Sequence, residues 1–212
     1  MTIHTNSGLK LYMESAIGTA EPIDSISKAA PGVIASAGHP FVNGDNVLLE
    51  IQGMVELNGY LCKVVSVVAG VSFQVADVNG TTGIDTTLFS TFTSGTAKKV
   101  TLGTSITGVQ DFNFAGGEIK VQDTTTVNDT QDTQIVVGAT AQSADMTMQW
   151  DPASSAQQAM IAAFKTRANK GFKVLWPDGA FTMWYGTVGY TGAPGGGKQG
   201  VTTSPAKITM LG

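Results

Sequence analysis

Pairs of turn-forming residues recur at roughly ten-residue intervals in the first half of this chain, and they constrain its fold more than any other feature. The pairs are Pro31-Gly32, Asn43-Gly44, Asn58-Gly59, Ala69-Gly70 and Asn79-Gly80. Gly and Asn supply the positive φ angles that tight turns between strands require. Short runs rich in β-branched residues, such as Leu61–Val68, lie between the turns. Short strands at this spacing predict a small all-β barrel or sandwich.

One segment in the second half has the periodicity of an α-helix, at about Asp151–Asn169. Asp151 is predicted as its N-cap, with Pro152 at the first helical position, where the missing N–H costs nothing. Gly171 follows as a stop signal. Residues at helical spacing predict one apolar stripe that packs on the sheets. The stripe consists of Ala156, Met160, Ala163 and Phe164.

After Lys98-Lys99 the pattern of residues changes, and longer strands are predicted. One is predicted at Val100–Asp111, and a hairpin is predicted around Pro177-Asp-Gly179. The closing strand at Val201–Leu211 contains Pro205, which has no N–H to donate to a sheet. Pro205 therefore predicts an edge strand or a bulge.

The chain carries little charge for its length of 212 residues. Only 13% of the residues are charged, the net charge is −4, and Arg167 is the one arginine. The apolar fraction of 42% argues against disorder as a whole. Low charge indicates that other protein covers part of the surface, although a low-charge monomer is the alternative. The scattered lysines argue against a nucleic-acid-binding protein, which needs clustered cations to displace counterions.

The sequence offers no residues for catalysis. Cys62, the one cysteine, lies in an apolar run, and the two histidines, His4 and His39, have no companion ligands at metal-binding spacing. The glycines at 192–200 do not form a phosphate loop, because Gln199 follows Lys198. No apolar run approaches the roughly 20 residues of a membrane helix. We expect no enzyme, no cofactor, no metal and no membrane insertion.

The stretch from Gln122 to Phe164 contains no Lys or Arg, and four of its five aspartates precede the predicted helix. These aspartates are explained either by a solvated polar loop without a specific role or by a surface whose negative charge has a function. Neither predicts acid–base catalysis, which needs a raised pKa and a pocket. The residues of this candidate acidic surface are Asp123, Asp129, Asp132 and Asp145.

The order of elements from Asp123 onward resembles the major tail tube proteins of long-tailed, lambda-like bacteriophages. The resemblance rests on the Thr-rich segment Gln122–Thr126, the alternating strand before Trp150-Asp-Pro152, the helix, the hairpin at Phe172–Gly179 and the closing strand. It implies a tail-tube β-sandwich or barrel with one flanking α-helix. The fold class is then mainly β.

Residues 23–99 depart from that pattern and look like a small β module inserted in various phage structural proteins. Gly38–Asp45 and Leu57–Tyr60 are its marks. The expected organisation is a discontinuous tail tube domain at 1–22 and 100–212, with an inserted small β-barrel-like domain at 23–99.

The resemblance also implies a function. The subunit would form homohexameric rings that stack into a tube, located in the virion tail and assembled in the host bacterial cytoplasm. The tube would hold the tape-measure protein, meet terminator and tip proteins, and conduct double-stranded DNA without binding it specifically. In this family a polar loop bridges neighbouring rings. That loop would consist of Thr124, Thr125, Thr126, Val127, Asn128, Asp129, Thr130, Gln131 and Asp132.

Negative charge in the lumen would repel phosphates and let the duplex slide. The alternative function is of another class: a phage capsid-decoration or carbohydrate-binding module that attaches to a surface as a monomer or trimer. Tubes or rings of purified protein would separate the first function from the second.

Overall fold

The computed structural model describes residues 8–76, 82–127, 130–196 and 200–211. They form two seven-stranded antiparallel sheets, a separate two-stranded ribbon and one α-helix, with a single 3-10 turn at Val55–Leu57. The mainly β fold class with one helix is confirmed. His4 and the Asn79-Gly80 turn lie outside the described residues.

The strands follow one another along the chain with the helix between the thirteenth and fourteenth. In chain order they are β1 (Lys10–Met13), β2 (Ala16–Ile23), β3 (Ser25–Ile26), β4 (Ile34–Ala35), β5 (Asn46–Gln52), β6 (Leu61–Val68), β7 (Ser72–Ala76), β8 (Ser94–Thr101), β9 (Thr104–Ile106), β10 (Val109–Ala115), β11 (Ile119–Asp123), β12 (Gln134–Ala139), β13 (Ser143–Gln149), α1 (Ser155–Thr166), β14 (Asn169–Leu175), β15 (Phe181–Gly189) and β16 (Thr203–Met210).

The first sheet has the order β10-β13-β16-β15-β14-β1-β9. Phe114 on β10 and Trp184 on β15 are three strands apart, which would separate them by about 14 Å in a flat sheet. Their ring centroids are nevertheless 5.2 Å apart. The sheet therefore curls around its core, where Phe172 stacks on the same Trp184 ring.

The second sheet has the order β2-β8-β5-β6-β7-β4-β3 and its own buried core, which includes Val47, Met54 and Phe73. The predicted strand at Val100–Asp111 is wrong as a single element. Breaks around Gly103 and Gly108 divide it among β8, β9 and β10, so the chain passes there from the second sheet back to the first.

The division into a tube domain and an insert stays a proposal. Because β2 pairs with β8, the strand pairing favours a first boundary near residue 15 rather than 22.

The junction between the two sheets is both apolar and polar. Leu48, Leu61 and Val100 form a small buried cluster against Met183 and Tyr185 of the first sheet. The carboxylate of Glu14, in the link between β1 and β2, is buried there. It accepts hydrogen bonds from the Gly171 N–H at 3.1 Å and from Lys170 Nζ at 2.8 Å. The junction is therefore stabilised by an apolar cluster and by the hydrogen bonds of a buried carboxylate.

The helix begins later than predicted, because Ser154 rather than Asp151 is its N-cap. Asp151 instead closes a turn in front of the helix: its Oδ1 accepts from the Ala153 N–H at 2.9 Å, and its carbonyl accepts from the Ser154 N–H at 3.1 Å. The helix ends at Thr166, and Gly171 lies within β14 rather than at the helix stop.

Three members of the predicted helix stripe, Ala156, Met160 and Ala163, are buried in the core of the first sheet. The prediction is wrong for Phe164, whose side chain is 41% exposed. Gln157 is buried instead. It accepts from the Tyr190 hydroxyl at 2.8 Å, and its Nε2 donates to the Gln149 carbonyl at 2.6 Å.

Pro205 does not lie in an edge strand, since β16 runs between β13 and β15. The residue is nevertheless paired on one side only. It is in register with Thr147 of β13, whereas the pairing of β16 with β15 begins at Lys207. The missing N–H therefore faces a side where no ladder hydrogen bond is needed.

Candidate assembly surfaces

The two-stranded ribbon, which consists of β11 and β12, is separate from both sheets. Strands β11 and β12 pair only with each other among the described strands, and every residue of both strands is exposed. Gly116 and Gly117, both with positive φ, precede the ribbon and turn the chain out of β10. A two-stranded hairpin alone in water is at best marginally stable. The ribbon therefore lacks the packing that the other strands have.

One face of the ribbon is apolar. Val121 lies directly opposite Val136, and Ile119 lies opposite Ala139 on the same face. Ile119, Val121 and Val136 are 66%, 53% and 67% exposed. The other face carries Lys120 and Gln122, with Ile135 opposite Gln122. Exposed contiguous apolar surface of this kind marks an interaction site in a soluble protein.

Threonine hydroxyls organise the base of the loop that joins the two ribbon strands. The N–H of Thr124 donates to the Thr133 carbonyl at 2.9 Å. The N–H of Thr133 donates to the Thr125 hydroxyl at 3.0 Å. Described residues of the predicted ring-bridging loop, among them Thr126, Val127, Thr130 and Gln131, are exposed, whereas Asn128 and Asp129 lie outside the described residues. The Thr-rich sequence thus makes the hydrogen bonds that close the ribbon.

The structure does not gather the predicted acidic residues on one element. Asp123 and Asp132 lie exposed at the far end of the ribbon, and Asp129 is outside the described residues. Hydrogen bonds from the Thr125 hydroxyl and N–H lower the pKa of Asp123. Asp145 lies instead in β13, where its Oδ1 is 3.7 Å from Lys207 Nζ.

Asp145 shares its sheet face with polar neighbours that sequence reasoning missed. A shallow depression on the outer side of β10, β13 and β16 is lined by Asp111, Asn113, Asp145, Thr147 and Lys207. Asp111 and Asn113 point outward because the alternate residues of β10, Phe112 and Phe114, face the aromatic core. Strand alternation identifies these residues once the core-facing register is known.

The C-terminal end of the helix forms a second exposed surface, the helix-end patch, which consists of Phe164, Lys165 and Arg167. All three side chains are exposed. Arg167 has φ of 54° and ψ of 32°, and it is the one non-glycine residue with positive φ in the described part of the chain. Its N–H caps the helix by donating to the Phe164 carbonyl at 3.1 Å.

Side chains that could perform chemistry are dispersed. Cys62 is buried with its Sγ 3.6 Å from the Val47 carbonyl, and His39 is buried between Phe41 and Phe73. Across the described ranges, no three His, Cys, Asp or Glu side chains are grouped as metal ligands would be. Within the same ranges no helix has the length and apolar character needed to cross a membrane.

A family model described as phage tail tube protein, TTP, matches residues 56–212, about three quarters of the chain. It covers the ribbon, the helix and most of the first sheet. A search of curated proteins finds no match.

Proposed function

The chain belongs to the phage tail tube protein family, and we propose that it polymerises into stacked hexameric rings whose channel conducts the phage genome. Its role in the virion tail is structural. Assembly in the host cytoplasm, around a tape-measure protein and between tail terminator and tip proteins, is part of the proposal.

The ribbon is the observation that carries this proposal. The two sheets bury their apolar faces within the subunit, whereas Ile119, Val121 and Val136 remain exposed. A ribbon that projects from the body and is apolar on one face is suited to packing against a second copy. Its free backbone edges can also extend a neighbouring sheet. The described residues of the predicted bridging loop lie at its far end, and we infer that the loop reaches the adjacent ring.

The test compares substitutions on the two faces of the ribbon. Val136→Asp places a charge on the apolar face, and we expect it to abolish assembly because a buried unpaired carboxylate is costly. Gln122→Asp adds the same charge on the opposite face and serves as the matched control. Negative-stain microscopy of concentrated protein should show tubes or rings for the wild type and the control.

If the wild type stays a monomer or trimer at every concentration, the tube proposal fails and the capsid-decoration or carbohydrate-binding alternative gains. If Val136→Asp assembles as well as the control, the ribbon is not the contact. Circular dichroism of each variant should show that the subunit stays folded, since the substituted residues lie outside both cores.

The same proposal assigns a lumen surface. Because the ribbon acids lie apart from Asp145, Asp145 is the one predicted acidic residue in the body of the subunit among those described. Asp111, which the sequence prediction did not include, lines the same outer face of β10 and β13. Carboxylates there would repel phosphate and let the duplex slide. Lys207 offsets part of the charge.

Asp145→Lys reverses the charge in this face without touching a core residue. In a phage complementation assay, tubes should form normally while DNA delivery slows. Thr147→Lys, on the same strand and the same face, should act in the same direction. Normal infectivity of both variants would remove this surface from the lumen.

A further inference from the structure

The left-handed conformation of Arg167 is unusual for its residue type. Helices often end with a residue in this conformation, but that residue is usually Gly, because a Cβ is disfavoured there. The backbone function of the position, capping the helix, needs no side chain at all. Strained positions persist where the surroundings or a function maintain them. An arginine at this position therefore indicates a role for its side chain.

Nothing in the described part of the subunit pairs with this side chain. The sequence contains no acidic residue between Asp151 and Asp178, so α1 offers no carboxylate one turn away. Lys165 already places a cation in the last turn, where it complements the helix dipole. Beside Arg167 lies Phe164, a large apolar side chain that helical spacing predicts to be buried but which is exposed.

The helix end therefore combines an exposed aromatic side chain, Phe164, with an arginine three residues further along the chain. Arginine and large aromatic side chains are the residue types that dominate binding hot spots. The charge of the arginine defines its partner, since a guanidinium binds carboxylates with two parallel hydrogen bonds. The far end of the ribbon carries two exposed carboxylates, Asp123 and Asp132. The pKa of Asp123 is lowered by hydrogen bonds from Thr125, which favours the charged form.

We propose that the helix-end patch of one subunit receives the acidic end of the ribbon of a second copy, with Arg167 binding the Asp132 or Asp123 carboxylate and Phe164 packing on the ribbon. The inference rests on the proposed function and names the surface that the ribbon contacts. Within the subunit the ribbon pairs only with itself among the described strands, and its two end carboxylates are exposed, so they are available to another copy.

Arg167→Gly separates this role from a role in folding. Glycine relieves the left-handed strain, so the melting temperature of the monomer should rise by about 2–4 °C. The same variant should raise the critical concentration for assembly at least about tenfold, as expected for loss of a charged hot-spot contact. A variant that is more stable and yet assembles worse cannot be explained by misfolding.

Three further variants complete the test. Lys165→Ala, a matched removal of charge on the same turn, should assemble like the wild type. Arg167→Glu should block assembly, and Arg167→Glu combined with Asp132→Arg or with Asp123→Arg should restore it in one of the two pairs. Restoration identifies the carboxylate that Arg167 binds.

The outcomes distinguish this inference from the function on which it rests. If the wild type forms no tubes, the proposed function fails. If the wild type forms tubes, Val136→Asp does not, and Arg167→Gly assembles normally, the ribbon binds elsewhere and this inference is overturned. Absence of rescue in both swapped pairs overturns it as well.

Discussion

Two hairpins of this chain have similar alternating patterns of apolar residues, but those residues are buried in one hairpin and exposed in the other. In the β14–β15 hairpin, Phe172, Val174 and Trp184 are buried in the core of the first sheet. In the ribbon, Ile119, Val121 and Val136 occupy equivalent alternating positions and are exposed. The first hairpin is flanked by β1 and β16, whereas the second has no flanking strand among those described. Alternation specifies which residues share a face, but the neighbours decide whether that face becomes core or interface.

The largest expected difference between the two hairpins is the loss of unfolding free energy when an apolar side chain is truncated. Phe172→Ala should lower the free energy of unfolding of the monomer by about 3–5 kcal/mol, because the ring is buried and stacks on Trp184. Val121→Ala in the ribbon should change it by less than about 0.5 kcal/mol. Urea unfolding of the monomeric subunit measures both. Similar losses for the two variants would mean that the ribbon is packed within the subunit.

A smaller difference is expected for two carboxylates that accept backbone hydrogen bonds. Glu14→Ala removes the buried acceptor of the Gly171 N–H and should cost about 1–3 kcal/mol. Glu14→Gln keeps an oxygen acceptor and should cost less. Asp123→Ala removes the exposed acceptor of the Thr125 N–H, and we expect the unfolding free energy to stay unchanged. A large loss for Asp123→Ala would contradict an exposed ribbon.

The smallest expected difference is in the melting temperature when one lysine of each hairpin, Lys173 or Lys120, is replaced. Burial, and then the neighbouring charge of Lys63, lower the pKa of Lys173, so the desolvation of its charged form opposes folding. The Phe181 ring, whose centroid lies 4.6 Å from Lys173 Nζ, offsets part of this cost. Lys173→Met should therefore raise the melting temperature at pH 7 by about 1–2 °C, whereas Lys120→Met in the exposed ribbon should leave it unchanged.

The pH dependence of this gain provides its own control. The folded state holds the Lys173 proton less tightly than the unfolded state, so the penalty is present at neutral pH and fades as the pH rises toward 10.5, the ordinary lysine value. The gain from Lys173→Met should shrink over the same range. A gain independent of pH would mean that better packing, not charge removal, is its cause.

The sequence predicted the fold class, the family and the position of the helix, because turn residues and helical spacing are local signals. Ala156, Met160 and Ala163 are buried as predicted, but Phe164 is not. Spacing assigns a side of the helix, and only the tertiary structure shows where that side ends. The N-cap was misplaced because an Asp-Pro pair can either begin a helix or form a turn in front of one, and the sequence does not distinguish the two.

The candidate surfaces were less predictable. The polar loop was identified from its Thr-rich sequence and a resemblance, and its role in ring contact stays a prediction. Asp111 and Asn113 were missed because their exposure depends on which face of β10 meets the core. Arg167 stands out in the sequence only as the one arginine. Its left-handed backbone conformation cannot be predicted from the residue type, because arginine rarely adopts it.

The central claim is that the ribbon is exposed in the subunit and buried in the assembly. Hydrogen–deuterium exchange of the same protein, measured as monomer and as tubes, tests it directly. We expect amides of residues 119–123 and 134–139 to exchange within seconds in the monomer and at least about 100-fold more slowly in tubes, since assembly would give the ribbon the packing it lacks. Amides of β14 and β15 should be protected in both. Equal protection of the ribbon in monomer and tubes would contradict the account.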